Sequence, residues 1–316
     1  MAHTVSNPGQ INAAGSAVAL FLKKYGGEVL TAFNRKTVMM GRQVIRNVSG
    51  GMESAQFPAT WRGAADYFVP ATNAELVGTV VKHAERKIFL DYPLISSNYV
   101  TQWDQLINHY DYRSIYSTLQ GEAIANTFDV NSLIVLLNAA RAATVFDGGD
   151  GVGGKVITSA NSATDGEILA AVFAEASQAM DEKDVPSDGR FMVLKPAQWY
   201  LLTQTTKVLN TDWKGSGSYA AAEVGQVQGI TPVKSNNVPS TNIASSPTGV
   251  RNTYHGDFST TVAAGGHMSA IGTLKLMDVS TEAEWKIEKQ ATLLVSKMMS
   301  GTGILRPECA FEVKTS

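Results

Sequence analysis

The sequence predicts an α+β fold, and three observations support this prediction. One long segment without proline, residues 98–146, repeats its apolar positions mostly at helical spacing. Short runs rich in Val, Ile, Phe and Tyr, separated by glycine or proline, indicate strands before and after that segment. The chain has 316 residues, 44% hydrophobic and 17% charged, which is enough for a globular protein of two domains.

Charge and cysteine content exclude some classes of protein. Lys and Arg total 26 against 28 Asp and Glu, so the chain lacks the basic excess of a dedicated DNA-binding protein. Its one cysteine, Cys309, cannot form an intramolecular disulfide and fits a reducing cytoplasm, where we expect an inert buried thiol. The sequence has no run of 18 apolar residues and no signal-peptide pattern at its start, so we expect a soluble protein that is not exported.

The N-terminal region predicts an arm that depends on a larger body. Residues 1–16 are rich in Asn, Gly, Ala and Ser, which is typical of a mobile segment. Two short apolar helices, 17–25 and 28–33, follow on either side of Gly26 and Gly27. Helices this short are not stable alone in water, so we expect them to dock on a larger body, either of the same subunit or of another one.

A group of four basic residues follows, interleaved with aliphatic ones: Arg35, Lys36, Arg42 and Arg46. One interpretation is a strip that contacts nucleic acid. The other, which we favour because split charges are a weak signal, is an extended segment whose charges meet acidic groups of the central helix region. Those acidic groups are Asp104, Asp111 and Glu122.

Residues 54–58, 64–69 and 80–92 predict strands of a long hairpin. In 80–92, polar residues occupy both faces of the strand, so we expect it to project as a ribbon and not to lie in a core. A lone two-stranded ribbon is only marginally stable, which implies support from a neighbour.

The central segment predicts a helix from about residue 112 to 144, roughly 50 Å long, with a bend near Gly121 and Asn126 and an end at Gly148. After it, Gly149, Gly154 and Lys155 match the spacing of a phosphate loop. Position 156 is Val where that motif needs Ser or Thr, and a helix stands where a strand should precede the motif, so we expect a helix stop with a flexible hinge.

A second α+β domain begins near Val156. We expect a capping box of Thr164 and Glu167 to open a helix, a buried strand over 191–194, and a helix starting at Pro196. Loops are predicted at 210–220 and 236–256, and a strand broken by Pro232 over 229–238. The tail from residue 270 predicts further strands, of which the last two would form a hairpin around Gly301 and Gly303 beside the central helix.

Few residues suggest catalysis. The histidines lack metal-ligand spacing, Asp147 and Asp150 lack the partners of a calcium loop, there is no G-x-S-x-G motif, and Cys309 has no evident histidine partner. We therefore predict no catalytic, metal or cofactor site, and no enzyme.

Five segments carry a family resemblance: LFLKKYGGEVLTAFNR, SAQFPATWR, INHYDYRSIYSTLQGEAIA, VPSDGRFMVLKPAQWYLL and GILRPECAFEV. In this order, across nearly the whole chain, they resemble the major capsid proteins of short-tailed, T-seven-like (autographivirus) podophages. The resemblance implies the Hong Kong 97 capsid fold, with a long spine helix, an extended β-hairpin loop, a peripheral domain and an axial domain. It also implies an N-terminal arm at 1–50, the extended loop at 51–92, the peripheral domain at 93–155 with 285–316, and the axial domain at 156–284.

The same resemblance implies a structural role in the virion capsid, with assembly in the host bacterial cytoplasm. Copies would form the pentamers and hexamers of an icosahedral shell around double-stranded DNA, with a scaffolding protein during assembly, a portal at one vertex and no membrane. We expect these residues to contact neighbouring subunits: Arg35, Arg42, Arg46, Phe57, Trp61, Lys82, Arg86 and Lys87.

Two alternatives remain at this point. The first is the shell of a cellular encapsulin-type compartment with the same fold, although the arm has no clear counterpart of a cargo-binding helix. The second is a soluble two-domain enzyme that uses the glycine loop, which the missing Ser or Thr argues against.

Overall fold

The computed structural model describes residues 5–6, 28–33, 36–60, 65, 67, 81, 83–101, 112–143, 152–205 and 224–316. The predicted helix 17–25, most of the predicted strand 64–69 and the predicted loop 210–220 lie outside these residues. The described residues form two five-stranded sheets, a separate hairpin and one long helix that packs against both sheets.

The long helix, α1 (Tyr112–Arg141), has 30 residues and confirms the prediction of a central helix. It starts later than the apolar segment at 98, because Leu94–Thr101 forms strand β5. On α1, Ile124 and Phe128 join one core cluster with Leu294 of the first sheet, and residues 133–137 join another with the second sheet. The stretch Ile115–Arg141 is long and apolar enough to cross a membrane, but 67% of its most apolar window is buried in the protein, as in a core helix.

Gly121 allows the arm to approach α1. A Cβ atom at this position would lie 2.5 Å from the carbonyl oxygen of Val29 and 2.8 Å from the Cβ of Ala32. The helical residues 28–33 therefore lie directly against α1, where Phe33 meets Phe128 edge to face with ring centroids 6.2 Å apart. This close approach explains the glycine in the middle of a helix that continues through it.

The first sheet has the order β1-β5-β13-β12-β2. Its two longest strands, β12 (Ile271–Lys286) and β13 (Ala291–Ile304), are antiparallel and joined by a 3-10 turn at Ile287–Lys289. β5 pairs antiparallel with β13, while β2 (Val44–Asn47) pairs parallel with residues 272–275 of β12 and β1 (Val5–Ser6) parallel with β5.

The predicted C-terminal hairpin around Gly301 and Gly303 is wrong. β13 continues through both glycines, and the last strand, β14 (Ala310–Lys314), lies in the other sheet. These glycines serve close packing, because a Cβ at Gly301 would lie 2.1 Å from the Phe89 carbonyl oxygen and one at Gly303 would lie 2.8 Å from Ile88.

The second sheet has the order β6-β14-β11-β7-β8. Its strands are β6 (Lys155–Thr158), β7 (Arg190–Leu194), β8 (Thr231–Lys234), β11 (Thr261–His267) and β14. Every residue of β7 is buried, as predicted for 191–194. Pro232 lies inside β8 and does not break it, since β8 is an edge strand and proline is tolerated there.

Two helices share a hydrophobic core with the second sheet. α2 (Gly166–Asp181) begins one residue later than a Thr164 cap would require, because the Asp165 carboxylate is the cap and accepts a hydrogen bond from the Glu167 N–H. α3 (Pro196–Leu202) starts at the predicted proline. The short strands β9 (Asn242–Ile243) and β10 (Gly256–Asp257) pair within a long connection.

The Arg141 guanidinium joins the end of α1 to the second sheet. Its Nε and Nη2 donate to the two oxygens of the Glu312 carboxylate, both at 2.6 Å, and its Nη1 donates to the Asp257 carbonyl at 2.6 Å. The Glu312 side chain is fully buried, and its hydrogen bonds raise the pKa of Arg141. The helix and the second sheet are therefore connected by a charge pair with a buried carboxylate as well as by apolar packing.

Candidate intersubunit surface

The separate hairpin consists of β3 (Ser54–Thr60) and β4 (His83–Phe89), paired antiparallel from Ser54 opposite Phe89 to Thr60 opposite His83. This confirms the prediction of a hairpin, with β3 two residues longer than predicted. On β4, the side chains of His83, Glu85 and Lys87 share one face and are exposed. The far part of the hairpin thus presents polar groups to the outside.

The base of the hairpin is buried, contrary to the prediction that residues 80–92 avoid a core. Ala55, Ile88 and Leu90 form a cluster with Leu274 of β12, and Ile88 is 1% exposed. The prediction failed because it weighed the polar residues of β4 together, although they lie toward the tip and the apolar ones toward the base. Among its described residues, the hairpin therefore packs into the core of its own subunit at the base.

A buried carboxylate holds this base in place. Asp91, just after β4, accepts hydrogen bonds at Oδ1 from the backbone N–H groups of Arg251 (2.7 Å) and Asn252 (3.1 Å). Its Oδ2 accepts one from the Tyr254 hydroxyl at 2.5 Å, and that hydroxyl in turn accepts from the Thr302 N–H at 2.9 Å. We call this set, Asp91, Asn252, Tyr254 and Thr302, the base latch.

The latch contains further contacts to the strand itself. The Asn252 amide donates to the Phe89 carbonyl at 2.7 Å and its oxygen accepts from the Phe89 N–H at 3.3 Å. Burial and then the charge of Asp91 raise the pKa of Tyr254 far above its ordinary value, so this hydroxyl stays protonated. The end of β4 is thus tied to the loop at 249–254 and to β13.

An ion pair lies at the outer side of the latch. Arg251 Nη1 donates to the Glu53 carboxylate at 2.9 Å, and the guanidinium lies 5.6 Å from the centroid of the Tyr92 ring. The Leu90 N–H donates to the Glu53 carbonyl at 2.8 Å. At the base of the hairpin, these contacts join the residues that flank β3 and β4 to each other and to the loop at 249–254.

Four of the predicted contact residues lie on the hairpin or beside it. Arg46 Nη1 donates to the Gln56 carbonyl at 2.9 Å, and its guanidinium lies 5.5 Å from the Phe57 ring centroid. Phe57 is opposite Arg86 in the ladder, and the Lys87 ammonium lies 5.1 Å from the Phe89 ring. The structure therefore places all four on or beside the hairpin, with Phe57 and Arg86 on the face of the base cluster and Lys87 on the opposite face.

The other four predicted residues are not at this surface or cannot be placed. Arg42 lies in the turn before β2, where its Nη1 donates to the Val38 carbonyl at 2.6 Å and burial lowers its pKa. It faces α1 near Asp129 and so supports its own subunit. Arg35, Trp61 and Lys82 lie outside the described residues.

Of the basic group, Lys36 follows the interpretation that we favoured from the sequence, whereas Arg46 donates to the Gln56 carbonyl of the hairpin. Asp104 and Asp111 lie outside the described residues. Lys36 forms an ion pair with Glu122 of α1 at 3.1 Å. Close by, the buried Asp129 carboxylate accepts hydrogen bonds from the Thr37 hydroxyl and from the N–H groups of Val38 and Met39 at 2.7–3.1 Å. Burial is the main influence on the pKa of Asp129 and raises it, while these hydrogen bonds oppose the rise. Residues 36–42 are thus fixed to α1.

The described residues offer no constellation for catalysis. They contain no group of three or more metal-ligating side chains. Lys155, the end of the phosphate-loop match, begins β6 and lies 3.6 Å from Glu175 in an ion pair. Cys309 is 1% exposed, accepts a hydrogen bond from the Ser269 hydroxyl, and has its pKa raised by burial. The ion pair of Lys155 and the buried thiol of Cys309 therefore contribute to the stability of the fold.

The comparisons with known proteins agree with this picture. A family model described as "Gp10A-like: Major capsid protein" matches residues 56–314. The major capsid protein of Escherichia phage T7 is 30% identical over 325 residues, covering 94% of this chain and 92% of that protein. The capsid structure of the cyanophage P-SCSP1u is similar with a TM-score of 0.80 and 37% identity, covering 89% of this chain and 88% of that one. The mature capsid of bacteriophage PhiM1, at 20% identity and a TM-score of 0.73 over 89% and 87% of the two chains, supports the fold.

Proposed function

Since the chain belongs to the Gp10A-like family of major capsid proteins and forms the capsid of a tailed phage, we propose that its extended hairpin links each copy to a neighbour in the shell. The observation that carries this proposal is the contrast between the two ends of the hairpin. The base is buried and latched, whereas the described residues toward the tip are exposed on β4. A rigidly held, exposed ribbon suits a contact between copies.

Arg46, Phe57, Arg86 and Lys87 are the described residues assigned to this contact. Aromatic and arginine side chains are enriched in protein interfaces, and a ribbon with both can bury area on a neighbour without disturbing its own core. Arg35, Trp61 and Lys82 belong to the same proposal on the strength of the sequence alone.

We also propose that copies assemble as pentamers and hexamers with a scaffolding protein and a portal, and that the shell encloses double-stranded DNA. A formal charge of −2 supports retention of DNA by enclosure and not by tight binding to each subunit. The proposed peripheral domain holds α1 and the first sheet, and the proposed axial domain holds the second sheet. Sheet membership supports grouping β12 with the peripheral domain and β14 with the axial domain, although the residue ranges expected from the sequence group them the other way.

Members of the family are major capsid proteins, which have a structural role. We propose that this chain likewise has no enzymatic activity. The encapsulin-type alternative is not favoured, because the family model and the curated relatives are phage capsid proteins.

The test is a hairpin deletion that spares the buried base. Residues 59–84 are replaced by a short Gly and Ser linker, and Arg46, Arg86 and Lys87 are changed to Ala, which keeps Ala55, Phe57, Ile88 and the base latch in place. We expect the circular dichroism spectrum and the melting temperature of the subunit to stay close to the wild type, because the removed part lies beyond the cluster with Leu274. Coexpressed with the scaffolding protein of the same phage, the variant should sediment as subunits or small oligomers, whereas the wild type gives shells. Shells of normal size and stability from the folded variant would disprove the proposed contact.

A further inference from the structure

Two hydrophobic cores meet along α1. The first core cluster takes Ile124 and Phe128 from the helix, together with Leu294 of β13. The second core cluster takes residues 133–137 and the buried strands of the second sheet. Asp129 lies on α1 between these two sets and is fully buried. A carboxylate in such a place is costly unless hydrogen-bond donors surround it, so its partners show which elements are held there.

A short segment before β2 crosses from one core to the other at this point. We call residues 36–42 the strap. Met40 packs against the first core cluster, to which Phe33 just before the strap also belongs, whereas Met39 is fully buried in the second core cluster. Neighbouring side chains of the strap therefore enter different cores. The strap thus contacts both parts of the subunit, beside α1.

Asp129 binds the strap at the crossing. Its Oδ1 accepts hydrogen bonds from the Thr37 hydroxyl at 2.8 Å and from the Met39 N–H at 3.1 Å. Its Oδ2 accepts one from the Val38 N–H at 2.7 Å, and the Val38 carbonyl in turn accepts from Arg42 Nη1 at 2.6 Å. Because three successive residues share one carboxylate, the strap cannot shift along α1 without leaving buried polar groups unpaired, which is costly.

The second sheet reaches the same carboxylate. Asn237 lies in the loop after β8, and its amide donates at 3.3 Å to the side-chain oxygen of Asn126, which precedes Asp129 on α1 by nearly one helical turn. A hydrogen bond from Asn237 also lowers the pKa of Asp129, against the larger effect of burial. The next residue, Val238, belongs to the second core cluster together with Met39. Asp129 therefore has donors from both the strap and the loop after β8.

We propose that the strap fixes the relative position of the first-sheet and second-sheet parts of the subunit, with Asp129 as its point of attachment. α1 also crosses both cores, but packed elements slide past one another by small shear movements in many proteins. A second contact beside the helix, attached by a buried carboxylate between the two cores, opposes such movement. Loosening the strap therefore widens the range of positions that the two parts adopt. This role is independent of the hairpin and of its proposed contact.

Distances between two spin labels in the unassembled, full-length subunit test this role. Glu175→Cys on α2 and Glu282→Cys on β12 place one nitroxide on each part, at side chains that are 51% and 64% exposed. Cys309 is 1% exposed and stays unlabelled. Pulsed electron–electron double resonance then gives the distribution of distances between the labels. We expect a narrow distribution in this labelled protein and a broader or displaced one after Asp129→Asn or Met39→Ala, because each substitution removes one attachment of the strap.

Ile157→Ala is the matched control. Ile157 is 1% exposed and belongs to the second core cluster, but it lies on β6, at the opposite edge of the second sheet from β8. Its substitution leaves a core cavity and should lower the melting temperature, as Met39→Ala does, while the distance distribution stays narrow. An unchanged distribution in both strap variants overturns the proposal. Equal broadening in Ile157→Ala also overturns it, because the effect then comes from lost core packing and not from the strap.

A double-mutant cycle with milder substitutions gives a second test, which stands even where Asp129→Asn or Met39→Ala does not fold. Thr37→Val removes only a hydroxyl donor from the strap, and Asn237→Ala removes only the amide from the loop after β8. If Asp129 couples the two elements, the loss of stability in the double variant, measured by urea unfolding, should differ from the sum of the two single losses. Additive losses would show that the strap and the loop are independent, and the proposal would fall.

Discussion

Removing the Tyr254 hydroxyl should loosen the base of the hairpin. In Tyr254→Phe, the Asp91 Oδ2 loses its donor at 2.5 Å and the buried Thr302 N–H loses its acceptor at 2.9 Å. A hydrogen bond to a charged group contributes about 1.5–3 kcal/mol, and a buried donor left unsatisfied costs about 1–3 kcal/mol. Because the two effects overlap at one atom, we expect a loss of about 2–4 kcal/mol in the free energy of unfolding.

The measurement is urea and thermal unfolding of unassembled subunits. For domains of 150–250 residues, 1 kcal/mol corresponds to about 2–4 °C, so the loss of about 2–4 kcal/mol should lower the melting temperature by roughly 4–16 °C. Tyr200→Phe is the matched control, because Tyr200 is 49% exposed and its variant should stay within about 0.5 kcal/mol of the wild type.

Hydrogen exchange locates the effect. In Tyr254→Phe, the amides of β4 near Phe89 should exchange faster, while those of β7 in the second sheet keep their protection. The reasoning about the base latch is refuted if Tyr254→Phe and Tyr200→Phe unfold alike, or if β7 loses protection as much as β4.

Three further outcomes are expected. Gly121→Ala should release the helical residues 28–33 and increase their proteolysis, because the added Cβ would overlap the arm backbone. This is expected even though alanine favours a helix by about 1 kcal/mol relative to glycine. Unchanged proteolysis would contradict the close packing. Arg141→Ala should lower the free energy of unfolding by about 3–5 kcal/mol, since it leaves Glu312 charged and buried, whereas Lys155→Ala at an exposed pair should change it by less than about 1 kcal/mol. Cys309 should react with a thiol reagent at pH 8 far more slowly in the folded protein than in urea, because burial raises its pKa and shields it; equal rates would contradict this burial.

Local patterns in the sequence predict much of the fold. The 3.6-residue repeat predicts α1, and Pro196 marks the start of α3, because each signal lies within the element that it predicts. The α2 cap was missed by one residue, because Thr164 and Asp165 are both good capping residues close to Glu167. Gly301 and Gly303 suggested a turn, since a glycine needed for close packing between strands has the same local signature as one needed for a bend.

The intersubunit role of the predicted contact residues stays a prediction. Alternation and basic residues pointed to Arg46, Phe57, Arg86 and Lys87, which the structure groups at the hairpin. The base latch was missed, because Asp91 and Tyr254 are 163 residues apart and no local pattern links them. The available signal was the acidic residue directly after a strand, in Asp91-Tyr92-Pro93, but it does not identify the partner loop.

The base latch also has a consequence for the order of events during synthesis. The hairpin leaves the ribosome long before the residues that hold it, because Thr302 and Gly303 lie close to the C-terminus. At about 5–20 residues per second, the roughly 210 residues between Asp91 and Thr302 take on the order of 10–40 s to translate. During this interval Ile88 of β4 lacks its packing against Gly303, and Tyr254 of the base latch lacks the Thr302 N–H. A subunit therefore acquires a fixed hairpin only when its chain is nearly complete, shortly before β14 completes the second sheet.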